Sequence, residues 1–120
     1  MTTLNLFMHS KDFVEYKASD IIFSEGDVGD CMYAVQAGEV EIIYRNKVLD
    51  TLGEGGIFGE MGLVEPDHIR SATVVAKTDC RVVPVDHRHF LFLVNETPTF
   101  ALNVMQIMAK RIRRMNDIIA

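Results

Sequence analysis

Residues 58–73 read Phe-Gly-Glu-Met-Gly-Leu-Val-Glu-Pro-Asp-His-Ile-Arg-Ser-Ala-Thr. They hold the chain's best-assembled set of groups for gripping an anion. Turn glycines precede a short helical stretch predicted from Glu60 to Val64, and a solvated loop from Glu65 to His68 follows. A loop-to-helix start presents N–H groups that lack acceptors and favours negative charge. Gly59 and Gly62 let that backbone come close to a ligand. Arg70 would add a fixed fork for phosphate oxygens. Glu60 suits a sugar hydroxyl as donor. The same residues admit a plainer reading, a surface ion pair of Arg70 with Glu60 or Asp67.

Other chemistry is poorly served. His87-Arg88-His89 is the one His-x-His, and it falls just after an N-cap signal at Asp86, without a Glu and third His at metal spacing. No Ser/His/Asp set, P-loop or dinucleotide fingerprint is present. Cys31 and Cys80 form no Cys-x-x-Cys and have no nearby His, so they read as small buried hydrophobes in a reducing compartment. We therefore expect no catalytic centre, no metal and no cofactor.

Positioning this segment requires a scaffold, and the pattern around it is that of strands. From Phe13 to Val85, runs of four to eight residues alternate with Gly, Asp and Asn turns. Val40, Ile42 and Tyr44 alternate with polar residues until a slip at Ile43, and Arg45-Asn46-Lys47 turns the chain into Val48-Leu49. Ser71–Ala76 and Arg81–Val85 are two late strands. Many short strands with close glycine turns predict a small antiparallel roll or sandwich. Asp86 then caps a short helix ending near Asn95, and Pro98 stands near the start of a longer one. In that helix Ala101, Met105, Met108, Ile112, Met115 and Ile119 recur at spacings of 4, 3, 4, 3 and 4, an apolar stripe for core packing and for a second copy of the chain. Leu4, Leu6 and Phe7 suit a helical turn against the same core.

Composition bounds the rest. The chain has 120 residues, 48% hydrophobic and 24% charged, enough for one domain over 1–120 with a real core. Formal net charge is −5; the last eleven residues carry Lys110, Arg111, Arg113 and Arg114 against Asp117 alone, so the body is acidic. That argues against a nucleic-acid surface, which needs clustered cations. With no signal-peptide pattern and no apolar run long enough to span a bilayer, the expectation is a cytoplasmic protein without a membrane partner.

Gly59-Glu60-Met61-Gly62-Leu63 followed by Arg70-Ser71-Ala72-Thr73 resembles the phosphate-binding cassette of the cyclic nucleotide-binding domain family, with the Glu-to-Arg spacing of its catabolite-activator branch. The likeness extends over nearly the whole chain, through Gly26-Asp27, Met32-Tyr33, Gly38-Glu39-Val40, Leu52, Gly55 and Phe90. It implies a mainly β fold with flanking helices: an eight-stranded antiparallel, jelly-roll-like β-roll, a short N-terminal helix and two C-terminal helices. It also implies a ligand, cAMP ahead of cGMP, and roles for residues. Glu60 would accept the ribose 2′-hydroxyl and Arg70 would pair with the cyclic phosphate. Ser71, Ala72, Gly59 and the N–H groups of Met61 and Gly62 would complete the cradle. Ile42 and Leu49 would line the wall under the purine, with Met115 and Asn116 of the long helix above it, and Arg111 of that helix would cap the purine or meet Glu60.

The function expected is thus a cyclic-nucleotide receptor module that signals through its last helix to a homodimer contact or a protein effector. No second amphipathic helix pair follows, so direct DNA binding is not expected. The alternative is a structural or protein-interaction domain of the same fold whose pocket no longer serves a nucleotide.

Overall fold

The structure, a computed structural model, describes residues 6–119. Leu4 of the expected N-terminal turn lies outside them; Leu6 and Phe7 are helical, and Phe7 is fully buried. Eight strands follow: β1 (Val14–Tyr16), β2 (Ile21–Phe23), β3 (Met32–Ala37), β4 (Val40–Tyr44), β5 (Lys47–Leu52), β6 (Ile57–Phe58), β7 (Thr73–Ala76) and β8 (Cys80–Val85). Helix α1 (Glu60–Val64) interrupts them between β6 and β7, and α2 (His87–Glu96) and α3 (Thr99–Ile119) close the chain.

The strands form two antiparallel four-stranded sheets, ordered β1-β8-β3-β6 and β2-β7-β4-β5. This is the mainly β roll with flanking helices that the sequence pattern and the resemblance implied. The slip in alternation at Ile43 is a register shift between Ile42 and Ile43 in the β4–β5 ladder. The hairpin closes through Arg45 and Asn46, both at positive φ, as a two-residue turn of the primed type requires. Pro84 pairs with Tyr33 of β3 but lies beyond the residues of β8 that β1 reaches, so its missing N–H leaves no gap on that side.

Two cores flank the first sheet. Val35, Phe58 and Val82 point between the sheets and meet Val40, Ile42, Leu49 and Val74 of the second. Met32, Ala34, Ile57, Val83 and Val85 point the other way, against Phe7, Leu93, Phe100 and Val104. A sheet buried on both faces explains why β3 and β8 are nearly continuous apolar runs.

Asp86 caps α2 by accepting from the His89 N–H at 2.8 Å. Helix α3 is 21 residues long, which at 1.5 Å per residue is about 30 Å. It therefore runs from the helical core to the mouth of the roll. Its buried positions are Phe100, Val104 and Arg111, with Ile107, Met115 and Ile118 half-buried along the same side. The expected stripe divides: Met108 and Met115 pack inward, whereas Met105, Ile112 and Ile119 are 61%, 47% and 54% exposed.

Candidate functional site

Backbone pairing places Arg70. The loop before β3 runs antiparallel to the segment entering β7, with Val28 bridged to Ile69. The Arg70 N–H donates to the Asp27 carbonyl at 2.7 Å, and the Gly26 and Gly29 N–H groups donate to the Arg70 and His68 carbonyls at 2.9 and 2.8 Å. His68, at φ 55°, turns the loop into this pairing, and its ring lies 2.7 Å from the Gly62 carbonyl.

Arg70 is 4% exposed. Among the described residues no carboxylate lies within ion-pair distance of it. It is held by weaker means: one N–H donates to the Gly59 carbonyl at 3.1 Å, and its guanidinium carbon sits 4.2 Å over the Phe23 ring. Phe23 is itself propped by Tyr33 and Phe58, whose rings stack 5.1 Å apart. Burial pulls the guanidinium below its usual range, against the attraction of Tyr33, Cys31, Asp30 and Asp27. The surface pair with Glu60 or Asp67 is not what the fold builds.

Glycines make the close approach possible. A Cβ on Gly29 would stand 2.6 Å from Arg70 Nε, and one on Gly62 would stand 2.7 Å from both an Arg70 nitrogen and the Gly29 carbonyl. Gly59, at φ 77°, is the N-cap of α1, and no side chain caps that end. The N–H groups of Glu60, Met61 and Gly62 precede the first helical bond, from the Leu63 N–H to the Gly59 carbonyl. Ser71 donates its hydroxyl to the Met61 sulfur at 3.3 Å, a weak acceptor.

Glu60 is 2% exposed, and its Oε1 accepts from an Arg111 terminal N–H at 2.7 Å. That pair joins α1 to α3 across 51 residues of chain. Each charge is compensated by the other, whereas Arg70 has no such partner among the described residues.

These groups surround one small, partly open cavity. Its polar end is Gly59, Glu60, Met61, Gly62, Arg70 and Ser71; its apolar wall is Ile42, Leu49 and Ala72, and Arg111 and Met115 close it from α3. The structure thus brings together eleven of the twelve residues singled out from sequence. Asn116 is exposed on α3 and does not line the cavity. Phe23 and Val74 line it without having been singled out, and Gly29 supports it from behind. Gly26 and Gly29 are turn glycines, and nothing local in the sequence ties their loop to Arg70. At the start of α2 His87 is exposed and His89 half-buried against Phe7, and no cluster able to hold a metal occurs among the described residues. Nor is any described helix long and apolar enough to cross a membrane.

Comparison with known proteins agrees with this geometry. The family model described as the cyclic nucleotide-binding domain matches residues 13–97. The cAMP-activated global transcriptional regulator CRP of Salmonella typhimurium is 27% identical over 116 residues, covering 92% of this chain and 55% of that protein. The solved catabolite activator protein of Thermus thermophilus superposes with a TM-score of 0.76 at 29% identity, over 98% of this chain and 55% of that one. The EAL enzyme Bd1971 in its cAMP-bound form is 39% identical, with a TM-score of 0.64 over 87% of this chain and 29% of that one; its cGMP-bound form gives 38% and 0.65. The chain spans about half the length of the curated regulators it matches.

Proposed function

Since the chain belongs to the cyclic nucleotide-binding domain family, we propose that its cavity takes a cyclic nucleotide, cAMP ahead of cGMP, as a regulatory ligand, and that the domain acts by binding rather than catalysis. The observation that carries this reading is Arg70: a buried arginine with no carboxylate in ion-pair distance among the described residues. Burying an uncompensated charge is costly, and a singly charged cyclic phosphate is the size and sign of partner that removes the cost.

The phosphate sits between Arg70 and the N–H groups of Met61 and Gly62, framed by the backbone of Gly59 and Ala72. Ser71 turns its hydroxyl from the Met61 sulfur to a phosphate oxygen, a stronger acceptor. Glu60 accepts the ribose 2′-hydroxyl. Ile42, Leu49 and Val74 face the purine, and Met115 and Arg111 close over it from α3. Ser71 at the position after the cassette Arg favours cAMP modestly over cGMP. The names of the relatives support both ligands: CRP is cAMP-activated, and Bd1971 has been solved with each nucleotide.

The signal leaves through α3, which among the described elements both lines the cavity and presents an unpartnered apolar face. Met105, Ile112 and Ile119 stand seven residues apart on that face, the repeat of a two-helix seam. A second copy of the chain covers them, in the cytoplasm, and the paired helices report ligand to an effector; DNA is not read by this domain itself. Calorimetric titration with cAMP and then cGMP tests the reading. Saturable binding of both, with cAMP tighter, is expected. No saturable heat up to millimolar nucleotide overturns the receptor function, and cGMP binding tenfold tighter overturns the base preference.

A further inference from the structure

Asp50 lies on β5 next to Leu49 but does not line the cavity. One of its carboxylate oxygens faces two arginines of α3. Arg114 reaches it at 3.0 Å, and Nε of Arg111 stands 3.7 Å away. The opposite end of the Arg111 guanidinium donates to Glu60. One buried cation is therefore held between two acids, one on α1 and one on β5. Nε of Arg111 is the one buried side-chain nitrogen or oxygen among the described residues with no hydrogen-bond partner.

The geometry of the Glu60 pair gives this orphan atom a meaning. Arginine and carboxylate favour two parallel hydrogen bonds, using both oxygens of the acid. Here the contact is single, from one terminal nitrogen to Oε1, and Nε is turned toward Asp50 instead. A two-point grip would occupy the whole Glu60 carboxylate. The one-point grip leaves an oxygen for another donor.

We propose that Asp50 is a positioning residue for ligand binding: by drawing Nε of Arg111 toward β5, it keeps the Arg111–Glu60 contact single and so reserves a Glu60 oxygen for the ribose hydroxyl. This rests on the receptor reading above and adds a residue that acts through Arg111, without touching the nucleotide. Arg114 shares Asp50 but is half-exposed and bonds outside the cavity.

The test compares cAMP with 2′-deoxy-cAMP, which lacks the hydroxyl at issue. Asp50→Asn keeps the side chain's size and removes its charge. It lowers cAMP affinity roughly ten- to hundredfold, the worth of a hydrogen bond to a charged group, and leaves 2′-deoxy-cAMP binding within about threefold of the unsubstituted protein. Arg114→Gln breaks the same helix–strand bridge yet spares Asp50, and it leaves cAMP affinity within about threefold. An equal loss for both nucleotides in Asp50→Asn, or an Arg114→Gln loss matching it, would show an ordinary helix anchor and overturn the proposal. So would cAMP affinity unchanged by Asp50→Asn, with the receptor reading left standing. If the unsubstituted protein binds neither nucleotide, the receptor reading itself falls and takes this one with it.

Discussion

Replacing Glu60 by Gln isolates the charge that holds α3 to the cassette. The side chain keeps its shape and a carbonyl oxygen for the Arg111 N–H, so what disappears is the ionic part of a 2.7 Å contact between groups 2% and 5% exposed. Charge centres about 4 Å apart at an effective dielectric of 20 attract by roughly 4 kcal/mol. Removing one partner of a buried pair costs about 3–5 kcal/mol, because the other charge is left uncompensated. Asp50, 3.7 Å from Arg111, takes up part of that load. The expected loss is therefore about 2–4 kcal/mol, a large share of the ~5–15 kcal/mol of a typical domain. Urea denaturation reads it as a lower midpoint at unchanged slope. Adding Arg111→Met to Glu60→Gln removes the stranded cation and restores most of the loss. A single-variant loss under about 0.5 kcal/mol, or a double variant no better than the single one, would refute the reasoning.

Three further outcomes follow from the same geometry. Gly62→Ala puts a Cβ against both Arg70 and the Gly29 carbonyl, so it lowers nucleotide affinity in titrations and costs about 1–3 kcal/mol in denaturation despite the better helix former. Ile112→Lys places a charge in the exposed seam of α3 and shifts the protein to monomer in sedimentation equilibrium, with cAMP binding retained. Stability falls as pH rises from about 9.0: burial, the largest cause, holds the Cys31 and Cys80 thiols above their ordinary value of 9.0 and the Tyr16 and Tyr33 phenols above 10.0. The unfolded chain then releases these protons first, and denaturation midpoints measured from pH 8 to 10.5 decline across that window.

Much of this was legible because it is local. Alternation over Val40–Tyr44 carried even the bulge at Ile43, and Asp86 announced α2 through its cap. The cassette residues are close in sequence and stayed together in space. What was not legible depends on contacts between distant segments. Two stripes interleave on α3: one of Ala101, Met105, Ile112 and Ile119, the other of Phe100, Val104, Arg111 and Ile118. A count of apolar residues passes over Arg111, since acids on other elements, Glu60 and Asp50, make its burial tolerable. Strand β6, two residues long, is too short to show a period. The contributions of Phe23, Gly29 and Asp50 exist only once β2, the loop before β3 and β5 have met the cassette and α3.

The central claim, that Arg70 is kept buried and without an acid because a phosphate completes it, has a signature in one paired measurement on Arg70→Met. Methionine fills much of the same space and carries no charge. Removing an uncompensated buried cation leaves the ligand-free protein as stable as before or more so, with the lost Phe23 contact offset by the desolvation no longer incurred. Binding, by contrast, loses the group facing the phosphate, about 2–5 kcal/mol, or roughly 30- to several-thousandfold in affinity. Melting without ligand and calorimetry with cAMP, on Arg70→Met and the unsubstituted protein side by side, give both quantities. The account predicts an undiminished melting temperature together with that loss of affinity. Affinity changed by less than threefold, with the protein destabilised, would mean that Arg70 serves the fold and not the ligand.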